Sequence, residues 1–237
     1  MTSHLDDPAR VRAQYASEWN LQARQALWRE VEGPNAREIA FDRIAAGRPR
    51  RVLEVGGGDG WLSAQIRDEL GADVVLVDQS ERMVELSHER GLNAIVGDVQ
   101  ELPFEDESFD TAVAAWMLYH VPDLDRGLGE LARVLEPRGR LVAVTTSLNH
   151  IAEVREMIAY PQEAREHTFN SENGEEALGR HFEHVERTDV VTRALVRDRQ
   201  TLVDYAASIP LETKPIPDDL PLPFHVYARL GIFVATK

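Results

Sequence analysis

Residues Arg51-Val-Leu-Glu-Val-Gly-Gly-Gly-Asp-Gly-Trp61 run from a short apolar stretch through a glycine loop into a helix-forming segment. A strand that turns so tightly into a helix needs a second strand beside it, because an isolated β–α unit cannot bury its apolar faces. Two further runs supply that neighbour: Asp73-Val-Val-Leu-Val-Asp78 and Asn93-Ala-Ile-Val-Gly-Asp98. Near-continuous apolar strands alternating with helical segments are the pattern of a parallel sheet covered on both faces. The three strands end in Glu54, Asp78 and Asp98, so three carboxylates fall at one edge of the sheet. Ligands of open α/β sheets bind at that carboxyl edge.

Gly56, Gly58 and Gly60 remove side chains that would keep a ligand off the backbone, and the helix from Trp61 to Leu70 aims its free N–H groups at the same gap. A dinucleotide fingerprint wants a third glycine three residues after the second, and that position is Trp61. Glu54 precedes the loop, where a negative charge opposes a pyrophosphate and favours a cation. No Gly-Lys-Ser/Thr follows, which excludes a Walker-type phosphate loop. A nucleoside cofactor bearing a sulfonium instead of phosphates fits these residues, and S-adenosylmethionine is that molecule. Asp78 lies about 20 residues beyond the loop, the distance at which a ribose diol is gripped. The alternative for Asp78 is a carboxylate capping the helix that starts near Ser80. Asp98 is a candidate acceptor for an adenine amino group.

Glu54-Val-Gly-Gly-Gly-Asp-Gly60, Val77-Asp78-Gln-Ser, Gly97-Asp98-Val99, Leu102-Pro-Phe-Glu-Asp-Glu-Ser-Phe-Asp110 and Leu131-Ala-Arg-Val-Leu-Glu-Pro-Arg-Gly-Arg-Leu141 resemble the class I methyltransferases, in particular the ubiquinone/menaquinone-methyltransferase-like branch. The resemblance covers Arg50 to Ser147. It implies an α/β, Rossmann-like seven-stranded sheet of order 3-2-1-4-5-7-6 with strand seven antiparallel, counted from Arg51. It assigns the Gly56–Gly60 backbone to the methionine moiety, Asp78 to the ribose and Asp98 to adenine N6. Gln79 and Val99 then flank the adenine, Ala115 offers its carbonyl to the methionine ammonium, and Met83 and Glu54 complete the cofactor-binding set. Tyr15 is a cofactor-covering group on the same basis. Two departures stand out. Family members often carry Cys-Gly-Thr-Gly or Ala-Gly-Thr-Gly where this chain has Gly57-Gly58-Asp59-Gly60, and often Asn or Ser at the position of Ala115.

The chain of 237 residues suits one α/β domain with an appended cap, and 43% hydrophobic content is enough for a substantial core. A formal net charge of −15 repels nucleic-acid phosphates and anionic membranes. No apolar run approaches the roughly 20 residues of a membrane span, and Met1 to Asp7 does not read as a signal peptide, so a cytoplasmic location is expected. The absence of cysteine excludes disulfides and thiolate metal sites. His181 and His184 lack a third ligand, and no metal is expected. Cations are nearly all Arg, with Lys only at 214 and 237, as in a GC-rich bacterial genome.

Further elements read as a helix from about Pro8 to Val31 ended by Gly33-Pro34, a helix over 35–46, a strand over 109–116 and a helix over 123–135 that Pro137 and Gly139 stop before a strand over 140–146. Segments 148–182 and 197–223 form a cap on the substrate side, and 8–32 forms an N-terminal lid. His120 and Tyr119 follow the fourth strand, where a chain leaving the carboxyl edge lies close to a transferable methyl. His120 is a candidate general base, the alternative being a histidine that bonds a loop carbonyl. The reading reached is methyl transfer from S-adenosylmethionine to a small-molecule acceptor. The alternatives are a non-catalytic S-adenosylmethionine-binding regulator, a nucleic-acid methyltransferase and an NAD-dependent oxidoreductase. Oligomeric state is not legible.

Overall fold

A computed structural model describes residues 18–161, 168–209 and 211–237. In chain order, α1 is Glu18–Ala26, β1 Val31–Glu32, α2 Ala36–Ala46, β2 Arg51–Val55, α3 Trp61–Leu70, β3 Asp73–Asp78, α4 Glu81–Glu89, β4 Asn93–Val96 and β5 Phe109–Ala115. A 3-10 turn at Leu118–His120 leads into α5 Leu124–Val134, β6 Leu135–Thr146, α6 Ala152–Met157, α7 Gly174–Leu178, β7 His184–Val196, α8 Arg199–Ala207 and β8 Phe224–Thr236.

All eight strands form one sheet of order β1-β7-β8-β6-β5-β2-β3-β4. β2 to β6 are mutually parallel, and β8 inserts antiparallel between β6 and β7. Counted from Arg51, this is the expected 3-2-1-4-5-7-6 arrangement with one strand added. The addition corrects the expectation of a helix running to Val31. The helix ends at Ala26, and Val31 and Glu32 pair with Ala194 and Arg193 of β7. The physical cause is the open edge of β7, whose backbone groups need partners; the Leu195 N–H donates to the Glu30 carbonyl at 2.9 Å. The portion of that helix containing Tyr15 lies outside the described residues. A second correction concerns Pro137 and Gly139. They do not merely stop a helix but lie inside β6, at a register shift where Phe109 faces Leu135 and Thr111 faces Arg140. A proline without an N–H is tolerated at such an irregularity.

Strand periodicity sorts the core into two layers. Leu53, Val55, Ala112, Ala114, Leu141 and Ala143 face α5, which contributes Leu128, Leu131 and Val134. Val52, Val113, Val142 and Val144 face the opposite way, against Ala40 and Ile44 of α2 and Leu62 and Ile66 of α3. Burying each such side chain contributes about 1.5–3 kcal/mol. A third cluster, Leu27, Ile151, Val154, Ile158, Leu202, Ile216 and Val226, packs α1, α6 and α8 together over the β7–β8 end of the carboxyl edge. Leu27 of the predicted lid is therefore buried, in the cap and not between the sheet and its helices, whereas Trp19 is 48% exposed.

Candidate functional site

The carboxyl edge opens into a cavity of about 820 Å³ that extends from the Gly56–Gly58 loop to Thr192 and Ala228 on β7 and β8. Period-2 alternation turns Glu54 toward α3, where the Ser63 hydroxyl donates to its carboxylate. Glu54 is only 2% exposed. Burial raises its pKa to about 7, the Ser63 hydrogen bonds oppose the rise, and the charges of Asp78 and Asp59 add to it. At neutral pH this carboxyl is only partly ionised. The preference of the loop for a cation is thus weaker than a full negative charge beneath the turn implies.

Two of the loop glycines have different reasons to be glycine. Gly58 has φ +58°, and an added Cβ meets nothing within 4 Å, so its backbone is open to approach. Gly60 has φ +76° and a Cβ there runs into Leu92 and, at 2.8 Å, the Ser87 hydroxyl. Gly60 accordingly packs the loop onto the end of α4 and does not line the cavity. The loop is held from several sides. The Gly58 N–H donates to Asp78 at 2.9 Å, the Ser87 hydroxyl donates to the Gly58 carbonyl at 3.1 Å, and Arg90 donates to both the carbonyl and the carboxylate of Asp59 at 2.8 Å.

Asp78 combines both sequence readings. Its second oxygen accepts from the Ser80 N–H at 2.9 Å, just ahead of α4, while the residue lines the cavity. Burial pushes its carboxyl upward, and the amides of Ser80, Gly58 and Gln79 hold it back. Helices α2, α4, α5 and α8 have side-chain caps from Asn35, Ser80, Asp123 and Asp198, whereas Gly60 gives α3 none. The first amides of α3 are met instead by carboxylates, the Trp61 N–H by Asp59 at 3.4 Å and the Ser63 N–H by Glu54.

Glu54, Gly56, Gly58, Asp78, Gln79, Val99, Ala115, Tyr119 and His120 are brought together in the cavity wall. Three candidates are not. Met83 is buried on the inner face of α4. Gly60 packs as described above. The Asp98 carboxylate is occupied by the backbone N–H and side-chain amide of Gln100 at 2.9–3.1 Å, and its neighbours Gly97 and Val99 line the cavity instead. Tyr15 lies outside the described residues.

The chain leaving β5 is bent by Trp116, whose φ of +57° is in the left-handed region. That conformation costs about 1–2 kcal/mol for a residue with a Cβ, and the Trp116 N–H donates to the Val144 carbonyl at 2.8 Å. The bend sends Met117, Tyr119 and His120 to the cavity. His120 is 8% exposed, with its ring edge-on to Tyr119 at 4.5 Å between centroids.

Sequence reasoning missed the opposite wall, which includes Arg24, His150, Arg155, Tyr160 and Tyr205. One signal was available: Ile151, Arg155 and Ile158 share a helical face by i, i+4, i+7 spacing, so an arginine sits in an apolar stripe. Met117 was missed too. A Cβ on Gly56 comes within 2.6 Å of its Cβ, so that glycine serves a strand-to-loop contact invisible in local sequence. Among the described residues no cluster of three metal-ligating side chains occurs, and no helix is long and apolar enough to cross a membrane. His181 instead meets Asp125 at 2.9 Å.

This topology, with the glycine loop after β2 and an acid ending β3, defines the class I S-adenosylmethionine-dependent methyltransferase fold. Residues 53–143 match the family model described as a methyltransferase domain. The same core is related to the ubiquinone/menaquinone biosynthesis C-methyltransferase of Idiomarina loihiensis, 34% identical over 121 residues that cover 47% of this chain and 48% of that protein. The chain thus matches about half the length of such curated relatives. Among solved structures, a Thermotoga maritima S-adenosylmethionine-dependent methyltransferase, described as a possible histamine N-methyltransferase, superimposes with a TM-score of 0.61 at 18% identity, covering 95% of this chain and 99% of that one. A Haemonchus contortus phosphoethanolamine N-methyltransferase, solved with phosphomonomethylethanolamine and S-adenosylhomocysteine, superimposes with a TM-score of 0.65 at 17% identity, covering 95% and 60%.

Proposed function

We propose that this chain transfers a methyl group from S-adenosylmethionine to a small-molecule acceptor. The observation that carries the reading is a single cavity in which an open glycine backbone at Gly58, the Asp78 carboxylate and the Ala115–His120 segment meet. Those residues fit the cofactor chemically. Asp78 keeps acceptor capacity beyond the amides that hold it, as a ribose hydroxyl requires, and the loop amides suit a carboxylate. Gln79 and Val99 offer the walls for an adenine, and the Ala115 carbonyl an acceptor for an ammonium.

S-adenosylmethionine supplies a methyl already activated by its sulfonium, which leaves as a neutral thioether with the bonding electron pair. The protein has to hold the acceptor atom in line, and such orientation is worth about 7–11 kcal/mol of barrier. His120 is placed to take the proton that an acceptor hydroxyl or amine gives up, and Tyr119 orients its ring. Within the described residues, 148–161, 168–182, 197–209 and 211–223 cap the acceptor side, and 18–32 cover the cavity, contributing Arg24 and Trp28. The related ubiquinone/menaquinone biosynthesis C-methyltransferase makes carbon one acceptor atom to include in any screen.

Calorimetry and a turnover screen test the reading together. Micromolar binding of S-adenosylmethionine, no binding of NAD, and transfer of labelled methyl to a component of a metabolite extract are expected. NAD binding in place of S-adenosylmethionine would sink it, and cofactor binding without transfer to any metabolite would favour a regulator.

A further inference from the structure

The glycine-loop side of the cavity carries Glu54, Asp59 and Asp78 in its lining. A cofactor whose methionine moiety ends in a carboxylate needs a positive charge among these acids. The start of α3 does not supply it, because its amides already meet Asp59 and Glu54. Arg90 is committed as well, since its guanidinium donates to both the carbonyl and the carboxylate of Asp59 at 2.8 Å. The other cation lining this side is Arg37, on the first turn of α2.

Arg37 stands where local rules disfavour it. Its backbone N–H donates to the Asn35 cap at 3.0 Å, so its positive charge lies at the positive end of the helix dipole. Glu38, the acid of the same turn, accepts from the Asn35 side-chain amide at 3.0 Å. The Arg37 guanidinium lies 5.0 Å from the centre of the Trp61 ring, and among the described residues it meets no carboxylate and no hydrogen-bond acceptor. The residue as a whole is exposed, yet packing about its head group lowers its pKa, with the charge of Asp59 opposing the fall. Cation–π attraction to the indole holds the charge and leaves the N–H donors of the fork for a further partner. Planar forks of this kind suit a carboxylate.

With the ribose at Asp78 and the ammonium at the Ala115 carbonyl, the carboxylate of the same moiety falls beside the Gly56–Gly58 loop, where the starts of α2 and α3 bring Arg37 and Trp61 into the lining. We infer that Arg37, steadied by Trp61, is the counter-charge for the methionine carboxylate of S-adenosylmethionine. The inference rests on the methyl-transfer reading and adds to it the residue that tells the complete cofactor from adenosyl compounds without a carboxylate. It also gives Trp61 a task at the position where a dinucleotide fingerprint has glycine.

Two compounds are titrated into the full chain by calorimetry: S-adenosylhomocysteine and its decarboxylated counterpart S-adenosyl-3-thiopropylamine, which keeps the adenosine, the thioether and the ammonium. The wild-type chain is expected to prefer S-adenosylhomocysteine by about 10- to 100-fold, the range set by a charge-assisted hydrogen bond. In Arg37→Met and Arg37→Gln that preference should shrink to within about fivefold, through weaker binding of S-adenosylhomocysteine with the decarboxylated compound binding as before. Arg37→Lys, which keeps the charge and loses the fork, should fall between them and the wild type. Trp61→Ala should lose about two- to fivefold of the preference, the worth of an exposed cation–π contact. Equal binding of the two compounds to the wild-type chain, or a wild-type preference in either folded neutral variant, would overturn the inference. An equal loss of both compounds would overturn it too, because a merely structural role has that signature. An unaltered preference in Trp61→Ala would overturn the part given to Trp61. A wild-type chain that binds neither compound would overturn the methyl-transfer reading itself, a result distinct from tight S-adenosylhomocysteine binding that ignores Arg37.

Discussion

The glycine-loop side of the cavity is held by contacts within residues 54–99, most of them backbone amides and carbonyls meeting Asp78, Ser87 and Arg90. The cap side is assembled by side chains brought from Arg24, Arg155 and Tyr205, on elements joined by their apolar cluster and by the Arg24–Ser208 hydrogen bond. The first construction resists change, because each loop atom is positioned by a neighbour on the adjacent strand or helix. The second is adaptable, since each wall residue can be exchanged without disturbing a sheet hydrogen bond.

His120 sits where the two sides meet and carries the largest expected effect. His120→Ala should lower turnover by about 10²–10⁴-fold with S-adenosylmethionine affinity nearly unchanged, measured by steady-state kinetics beside calorimetry. An unaltered rate would assign it to packing against Tyr119. Gly60→Val tests the rigidity of the loop side. A β-branched side chain at φ +76° against Leu92 and Ser87 should cost about 3–4 kcal/mol in urea unfolding. Gly58→Ala, with open space around the new Cβ, should cost only about 1 kcal/mol. Equal costs at the two positions would remove the distinction between a packing and an approach glycine.

Glu54 gives a pH signature confined to the loop side. Its folded pKa of about 7 lies above the ordinary 4.5, so the native state binds more protons than the unfolded one between those values. Stability of the ligand-free chain should therefore fall as pH rises from 4.5 to 7, by about 3 kcal/mol from this group. Denaturation at a series of pH values should show Glu54→Gln lacking that contribution; a variant with the wild-type slope would mean that the carboxyl ionises freely. Asp78 tests the same side through cofactor affinity. Asp78→Ala removes the partner of the Gly58 and Ser80 amides, among others, and should weaken S-adenosylmethionine binding by about 1.5–3 kcal/mol, with Asp78→Asn losing less stability because it still accepts from Ser80. Wild-type affinity in a folded Asp78→Ala chain would move the ribose elsewhere.

The legible part of the molecule is the part whose contacts are near in sequence. Alternation between 51 and 146 specified the parallel strands, and the loop, Asp78 and His120 were found from their offsets to those strands. Asp98 and Gly60 show the limit of that method. Both carry the right residue at the right offset, yet Gln100 occupies one carboxylate and α4 packs on the other glycine. β1 was misread as helix because the open edge of β7 that recruits it lies more than 150 residues away.

Sequence alone determined the strands, the glycine loop and the acids near the strand ends, because strand periodicity and turn chemistry act over a few residues, while the sheet order came only from the family resemblance. Tertiary structure alone decided that Glu54 is buried to a pKa near neutrality and that Arg24, Arg155 and Tyr205 share one wall. Desolvation and convergence depend on which distant segments exclude water from a point in space, and no local pattern of residues carries that information.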